Sequence, residues 1–222
     1  SGGELPIPEA VGILNEVARA LTYAHDQGVV HRDIKPDNVL LSGGTAMVTD
    51  FGVAKALSAA TADGAGAMTG TGVSLGTPAY MAPEQASADP HVDHRADIYA
   101  FGCLAYELLS GASPFAGRSA QAMISAHLTE EADPVERRRT TVSGPLASLV
   151  ARCLAKNPAD RPQSARELTQ ALDQVSSGPV AAGARATSRP NRTPIVVALL
   201  VIVAVGGMLL LLGLMPWLPY KR

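Results

Sequence analysis

The stretch VVHRDIKPDNVLL, Val29 to Leu41, gathers His31, Arg32, Asp33, Lys35, Asp37 and Asn38 between two short apolar runs. Charge of that density ordinarily spreads over a solvated face. Here apolar residues pin it at both ends to a rigid frame, which marks a reaction centre. Asp50 follows twelve residues after Asn38, within DFG. Between them lie two strand-like runs, NVLLS and AMVTD, joined by Gly43–Gly44, the signal of a β-hairpin. A hairpin returns its ends to one place, so Asp33, Asn38 and Asp50 can converge on one point. Asn38 and Asp50 are oxygen ligands of different charge and suit Mg2+ carried on a polyphosphate. Asp33 can then orient a hydroxyl group and accept its proton.

The elements that must hold this loop read mostly as helices. PEAVGILNEVARALTYAHDQG has Pro8 and Glu9 in a first turn, with Ile13, Leu14, Val17, Leu21 and Ala24 at helical spacing, and Gly28 as the stop. From Ala96 onward the pattern is helical again: ADIYAFGCLAYELLSG, SAQAMISAHL, GPLASLVARCLAKN and SARELTQALDQV. The expected fold class is mainly α with one short β-hairpin at the catalytic loop.

The 222 residues allow one medium domain and something more. A formal net charge of −2 gives no polyanion-binding signature, so nucleic acid is not expected as a partner. The two cysteines, Cys103 and Cys153, sit in apolar helix-like contexts and read as buried thiols rather than a disulfide. The chain begins with Ser1 and shows no signal-like N-terminus, so it reads as a piece of a longer product. A globular part is expected to about residue 175, then a Ser/Gly/Pro/Ala-rich linker over 176–194. Ile195 to Met215 is an uncharged apolar run of 21 residues, the length of a single bilayer crossing, and 216–222 form a short tail. Arg185, Arg189 and Arg192 precede this run and Lys221 and Arg222 follow it, a balance that favours a globular part expected on the cytoplasmic side of a cell membrane.

HRDIKPDN, DFG and APE (Ala82–Glu84), in that order and spacing, resemble the catalytic core of eukaryotic-type Ser/Thr protein kinases of the bacterial, receptor-like kind. The resemblance covers residues 4 to about 175 and corresponds to the larger, mostly helical C-lobe of that α+β fold. It implies ATP and Mg2+ as cofactors and protein substrates as partners, with a second copy of the kinase as a further candidate. By the resemblance Asp33 is the catalytic base, Asn38 and Asp50 hold Mg2+, and Lys35 steadies the transferred phosphoryl group as a point charge. His31 reads as packing and hydrogen-bonding support.

The same resemblance extends to regulation and architecture. Thr69 and Thr71 fall where such kinases carry autophosphorylated threonines, with Ser74 less favoured. A phosphate there could pair with Arg32 and Lys55. Thr77, in GTPAYMAPE, matches the substrate-docking segment. Glu84 is implied to pair with Arg161 of NPADRP, and Asp97 to accept backbone N–H groups of the catalytic loop. The family also uses a small N-terminal lobe with a Gly-rich loop and a strand lysine, and neither is recognisable before the first helix. The expected function is therefore a membrane-anchored Ser/Thr kinase present as a fragment. A non-catalytic, membrane-tethered kinase-like scaffold is the alternative. Small-molecule phosphotransferases of related fold are disfavoured by GTPAYMAPE, a peptide-docking element they lack.

Overall fold

A computed structural model describes residues 5–51 and 78–177. The chain divides after Gly178, and the architecture below is that of the first unit. The expectations placed on Lys55, Thr69, Thr71, Ser74 and Thr77, on the linker beyond Ser177 and on the apolar run 195–215 lie outside the described residues. Among the described residues no helix is long and apolar enough to cross a membrane.

The first helix, α1, spans Ile7–Asp26 with Pro8 in its first turn. Its buried side chains, Ala10, Val11, Ile13, Leu14, Val17, Ala18, Leu21 and Ala24, recur at three- and four-residue intervals and form one core-facing stripe. The hairpin follows as β1 (Val39–Ser42) and β2 (Thr45–Val48), antiparallel, with Val39 opposite Val48 and Ser42 opposite Thr45. Gly43 and Gly44 have φ of +58° and +83°, the left-handed pair that a two-residue type I′ turn demands. Glu16 of α1 accepts the Ala46 N–H and ties the hairpin to the helix.

Next come a short helix α2 (Pro83–Ala86), then α3 (Arg95–Ser110), α4 (Ala120–Thr129), α5 (Val135–Arg138), α6 (Gly144–Cys153) and α7 (Ala165–Ser177). Single 3-10 turns occupy Pro36–Asn38, Pro78–Tyr80 and Pro158–Asp160. Twelve of the sixteen residues of α3 are buried, so this helix is the core about which the others pack. It contacts α1 on one side and α6 on another, while α7 lies along α1 and α6. The α3–α6 approach depends on Gly102: a Cβ there would stand 2.7 Å from Cys153 Cβ. Cys103 and Cys153 are both free and buried. Burial pushes the Cys103 thiol well up and that of Cys153 up to about 12, so both stay protonated.

Two differences from the sequence expectation are local. The final helix runs through Ser177, past the expected linker start, and there the Ser176 and Ser177 hydroxyls donate back to the Leu172 and Asp173 carbonyls. The four-residue helices α2 and α5 were not anticipated, since one turn is too short to show a period.

Candidate active site

The loop between α1 and β1 hangs from one buried carboxylate. Asp97, in the first turn of α3, accepts the Arg32 N–H at Oδ1 (2.7 Å) and the His31 N–H at Oδ2 (2.8 Å). His25 Nε2, from the last turn of α1, donates to Oδ2 as well (2.8 Å). A fully buried carboxylate with three donors is satisfied, and it fixes the loop backbone to the rigid central helix. Arg32 sits at φ +70°, a conformation uncommon for a side chain with a Cβ. It is held there from both ends, because its carbonyl accepts from Gln85 Nε2 of α2 (2.9 Å) while its N–H is on Asp97. The Arg32 Nε is buried and has no hydrogen-bond partner among the described residues.

Within the loop the functional side chains are mutually oriented. Lys35 Nζ donates to Asp33 Oδ2 at 2.6 Å. Asn38 Nδ2 donates to the Asp33 carbonyl at 2.7 Å and to Oδ2 at 3.1 Å. Asp33 Oδ2 is therefore engaged twice, while Oδ1 carries no hydrogen bond among the described residues. One carboxylate oxygen is anchored and the other is open to accept a proton, and the side chain is 39 % exposed, so a substrate hydroxyl can reach it.

The far end of the hairpin comes back to the same place. Thr49 N–H donates to the Asn38 carbonyl at 2.9 Å, which continues the strand register one step past Val39–Val48. His31 Nε2 donates to the Thr49 carbonyl (2.7 Å), and its Nδ1 accepts the Asp33 N–H (3.2 Å). The Phe51 ring packs edge-on against His31 with centroids 4.7 Å apart. Asp50, between Thr49 and Phe51, takes φ +62° and is exposed. The hairpin thus brings Asp50 beside Asn38.

The donor set suits a hard cation. Asn38 spends its amide N–H on Asp33, which leaves Oδ1 as the ligand, and Asp50 adds a carboxylate. Among the described residues no group of three or more His, Cys, Asp or Glu forms a closed metal cluster. Two protein oxygens fit a Mg2+ ion that takes its remaining ligands from phosphates and water.

Away from this centre, Glu84 of α2 and Arg161 form a bidentate pair, Nη1–Oε1 at 2.6 Å and Nη2–Oε2 at 2.8 Å. Arg161 spends its other three N–H groups on the Ala155, Arg95 and Lys156 carbonyls, so all five donors of a buried guanidinium are used. Tyr80, in the Pro78–Tyr80 turn, donates its hydroxyl to Glu107 Oε2 of α3 at 2.5 Å; burial, then Glu107, pushes its pKa far above the usual phenol range. His25, Gln85, Tyr80 and Glu107 were not singled out from the sequence. The signal for His25 was available: it is a titratable residue beside the apolar stripe of α1. Gln85 and Glu107 gave none, since their partners are distant in the chain.

Residues 2–173 match the protein kinase domain, and the chain belongs to that family. The fold is accordingly the kinase fold, mostly helical with a small two-stranded sheet. A serine/threonine-protein kinase of Mycobacterium leprae, PknB, is 38 % identical over 177 residues, covering 79 % of this chain and 28 % of that protein. Serine/threonine-protein kinase pkn3 of Myxococcus xanthus is 42 % identical over 181 residues, 78 % of this chain and 32 % of the relative. The chain thus spans about a third or less of the curated relatives it matches. Among solved structures, a double mutant of the Mycobacterium tuberculosis PknI kinase domain superposes with a TM-score of 0.55 at 31 % identity, covering 78 % of this chain and 57 % of that one.

Proposed function

We propose that the protein is a serine/threonine protein kinase that transfers the γ-phosphoryl group of ATP to Ser or Thr hydroxyls of protein substrates. The observation that carries this reading is the orientation of Asp33, with Oδ2 held by Lys35 and Asn38 and Oδ1 open. In the proposed reaction the substrate hydroxyl oxygen bonds to the γ-phosphorus, the bond to the β-phosphate oxygen breaks, ADP leaves, and the hydroxyl proton passes to Asp33 Oδ1. Lys35, 2.6 Å from Asp33, places a positive charge beside the transferring group and offsets the charge that develops there. Asn38 Oδ1 and the Asp50 carboxylate are the residues that would hold Mg2+, which when bound neutralises phosphate charge.

The hairpin supports the presence of a covering lobe in the working kinase. Leu40 and Met47, cross-strand neighbours on one face of the hairpin, are 51 % and 48 % exposed, an apolar pair of the kind a small N-terminal lobe closes over. In this reading the chain is the C-lobe of the kinase, residues 1–175, followed by a linker (176–194), a single membrane crossing (195–215) and a tail, with the kinase part cytoplasmic. Thr69 and Thr71 are proposed as activating phosphosites, with Arg32 and Lys55 as phosphate partners, and Thr77 as part of the substrate-docking segment. The buried, unpartnered Arg32 Nε supports the first of these roles.

The test is phospho-amino-acid analysis of label moved from ATP to protein by the whole molecule purified from membranes. Phosphoserine and phosphothreonine are expected. Absence of label, with Mg-ATP bound, would favour the non-catalytic scaffold.

A further inference from the structure

Behind the Pro78–Tyr80 turn, Tyr99 of α3 meets His127 of α4, and both helices pack on that turn. His127 is fully buried. Its Nδ1 lies 2.8 Å from the Tyr99 hydroxyl, and Lys156 Nζ lies 3.3 Å from the same hydroxyl and 3.3 Å from the Ala126 carbonyl. Phe115 closes the site, with its ring 4.9 Å from that of His127, edge to face.

The chemistry of these groups fixes the direction of every bond. An ammonium has only donors, so Lys156 donates to the Tyr99 oxygen. Among the described residues Nδ1 is the one acceptor within reach of the buried Tyr99 hydroxyl proton, so the hydroxyl donates and Nδ1 accepts. Burial, and the nearby Lys156 charge, lower the His127 pKa to about 4, so the ring is neutral at pH 7. A neutral imidazole that accepts at Nδ1 carries its proton on Nε2. That Nε2–H is buried without a hydrogen-bond partner among the described residues, and the Ala79 backbone, on the turn that α4 packs against, is close enough to the ring to favour its protonated form. A buried donor without a partner is destabilising and calls for a reason.

We propose that His127 is a positioning residue for the protein substrate: its Nε2–H is the donor that clamps the Ala79 carbonyl when the Pro78–Tyr80 turn seats a substrate peptide. Tyr99 and Lys156 act through it by setting the tautomer. Tyr80, bonded to Glu107, anchors one end of the turn to α3, and His127 supplies the second anchor, from α4. The inference rests on the reading of this turn as part of a kinase substrate-docking segment.

The test uses the whole protein and three variants: His127→Phe, which keeps ring volume without donors; His127→Gln, which keeps one donor; and Tyr99→Phe, which frees the tautomer. His127→Phe should raise KM for a protein substrate by about tenfold, with kcat and the KM for Mg-ATP changed less than about twofold. His127→Gln should recover most of the loss, and Tyr99→Phe should raise the same KM without adding to His127→Phe in the double variant. If His127→Phe fails to fold, Tyr99→Phe carries the same comparison. An unchanged protein-substrate KM, an equal rise in the ATP KM, or a Gln variant no better than Phe would overturn the proposal. Nitrogen-15 histidine NMR of the wild-type protein reads the tautomer directly. An Nδ1–H form in a protein that phosphorylates normally overturns this role and leaves the kinase reading standing. A protein with the Nε2–H form that transfers no phosphate contradicts the kinase reading, and this role with it.

Discussion

His31 Nε2 donates to the Thr49 carbonyl oxygen across 2.7 Å and thereby joins the loop that carries Asp33 to the strand end that carries Asp50. The other nitrogen of the same ring accepts the Asp33 N–H. One buried imidazole thus sets the spacing between the proposed base and the proposed metal ligand, with its tautomer fixed by the donor on one side and the acceptor on the other.

Replacing His31 by Ala removes both bonds and leaves the Thr49 carbonyl and the Asp33 N–H without their partner. The expected loss is about 3 kcal/mol of stability, from the cavity and the two unsatisfied groups. Urea unfolding should show it as a lower midpoint with an unchanged slope. A midpoint within error of wild type would mean that the ring is not what couples the two segments.

Glu84 and Arg161 form the most buried ion pair of the described residues, with side chains 9 % and 0 % exposed. Glu84→Ala strands a guanidinium in the core and should cost about 3–5 kcal/mol. Because the pair is shielded from solvent, the loss should be nearly the same at low and high salt. A loss that shrinks strongly with added salt would place the pair at the surface instead.

Stability should fall in mild acid through His127. Its folded pKa, about 4, lies below the unfolded value near 6.5, so the unfolded chain binds more protons between those limits. The neutral ring contributes no penalty above pH 6.5. As pH drops from 6.5 to 4 the native state loses up to about 3 kcal/mol, and the loss levels off below that. His127→Gln should remove this component of the pH dependence. Comparing melting profiles of the two proteins across the window decides it; parallel profiles would assign the acid sensitivity elsewhere.

Gly102 is set by the approach of α3 to α6. Gly102→Ala places a methyl group against Cys153 Cβ and should destabilise by about 1–3 kcal/mol. Adding Cys153→Ala keeps the obstructing Cβ and should give no relief, whereas Cys153→Gly should relieve part of the strain. Equal stabilities for the two double variants would contradict a contact between these Cβ positions.

What the sequence made legible follows the range of the forces involved. The apolar stripe of α1 and the Gly43–Gly44 turn are local: periodicity and turn chemistry act over a few residues, so helix and hairpin could be read directly. The hairpin in turn explains why Thr49, the neighbour of Asp50, comes back to Asn38. Asp97 on His31 and Arg161 on Glu84 join residues 66 and 77 apart, and only the family motifs pointed to those contacts. Gln85 on Arg32 and Tyr99 on His127 had neither a local pattern nor a motif to announce them. A polar side chain inside a helical run carries no sign of which distant group will satisfy it. The four-residue helices α2 and α5 escaped for the opposite reason, being too short for any period to register.

The central claim is that Asp33 accepts the proton of the substrate hydroxyl, and Asp33→Asn in the whole protein tests it most directly. The substitution keeps shape and hydrogen-bonding capacity near Lys35 and Asn38 but removes the basic oxygen. Phosphoryl transfer should fall by about 10²–10⁴-fold while the affinity for Mg-ATP stays within a few-fold of wild type. Transfer at a rate near that of wild type, with ATP bound as before, would contradict the assignment of Asp33 as the base.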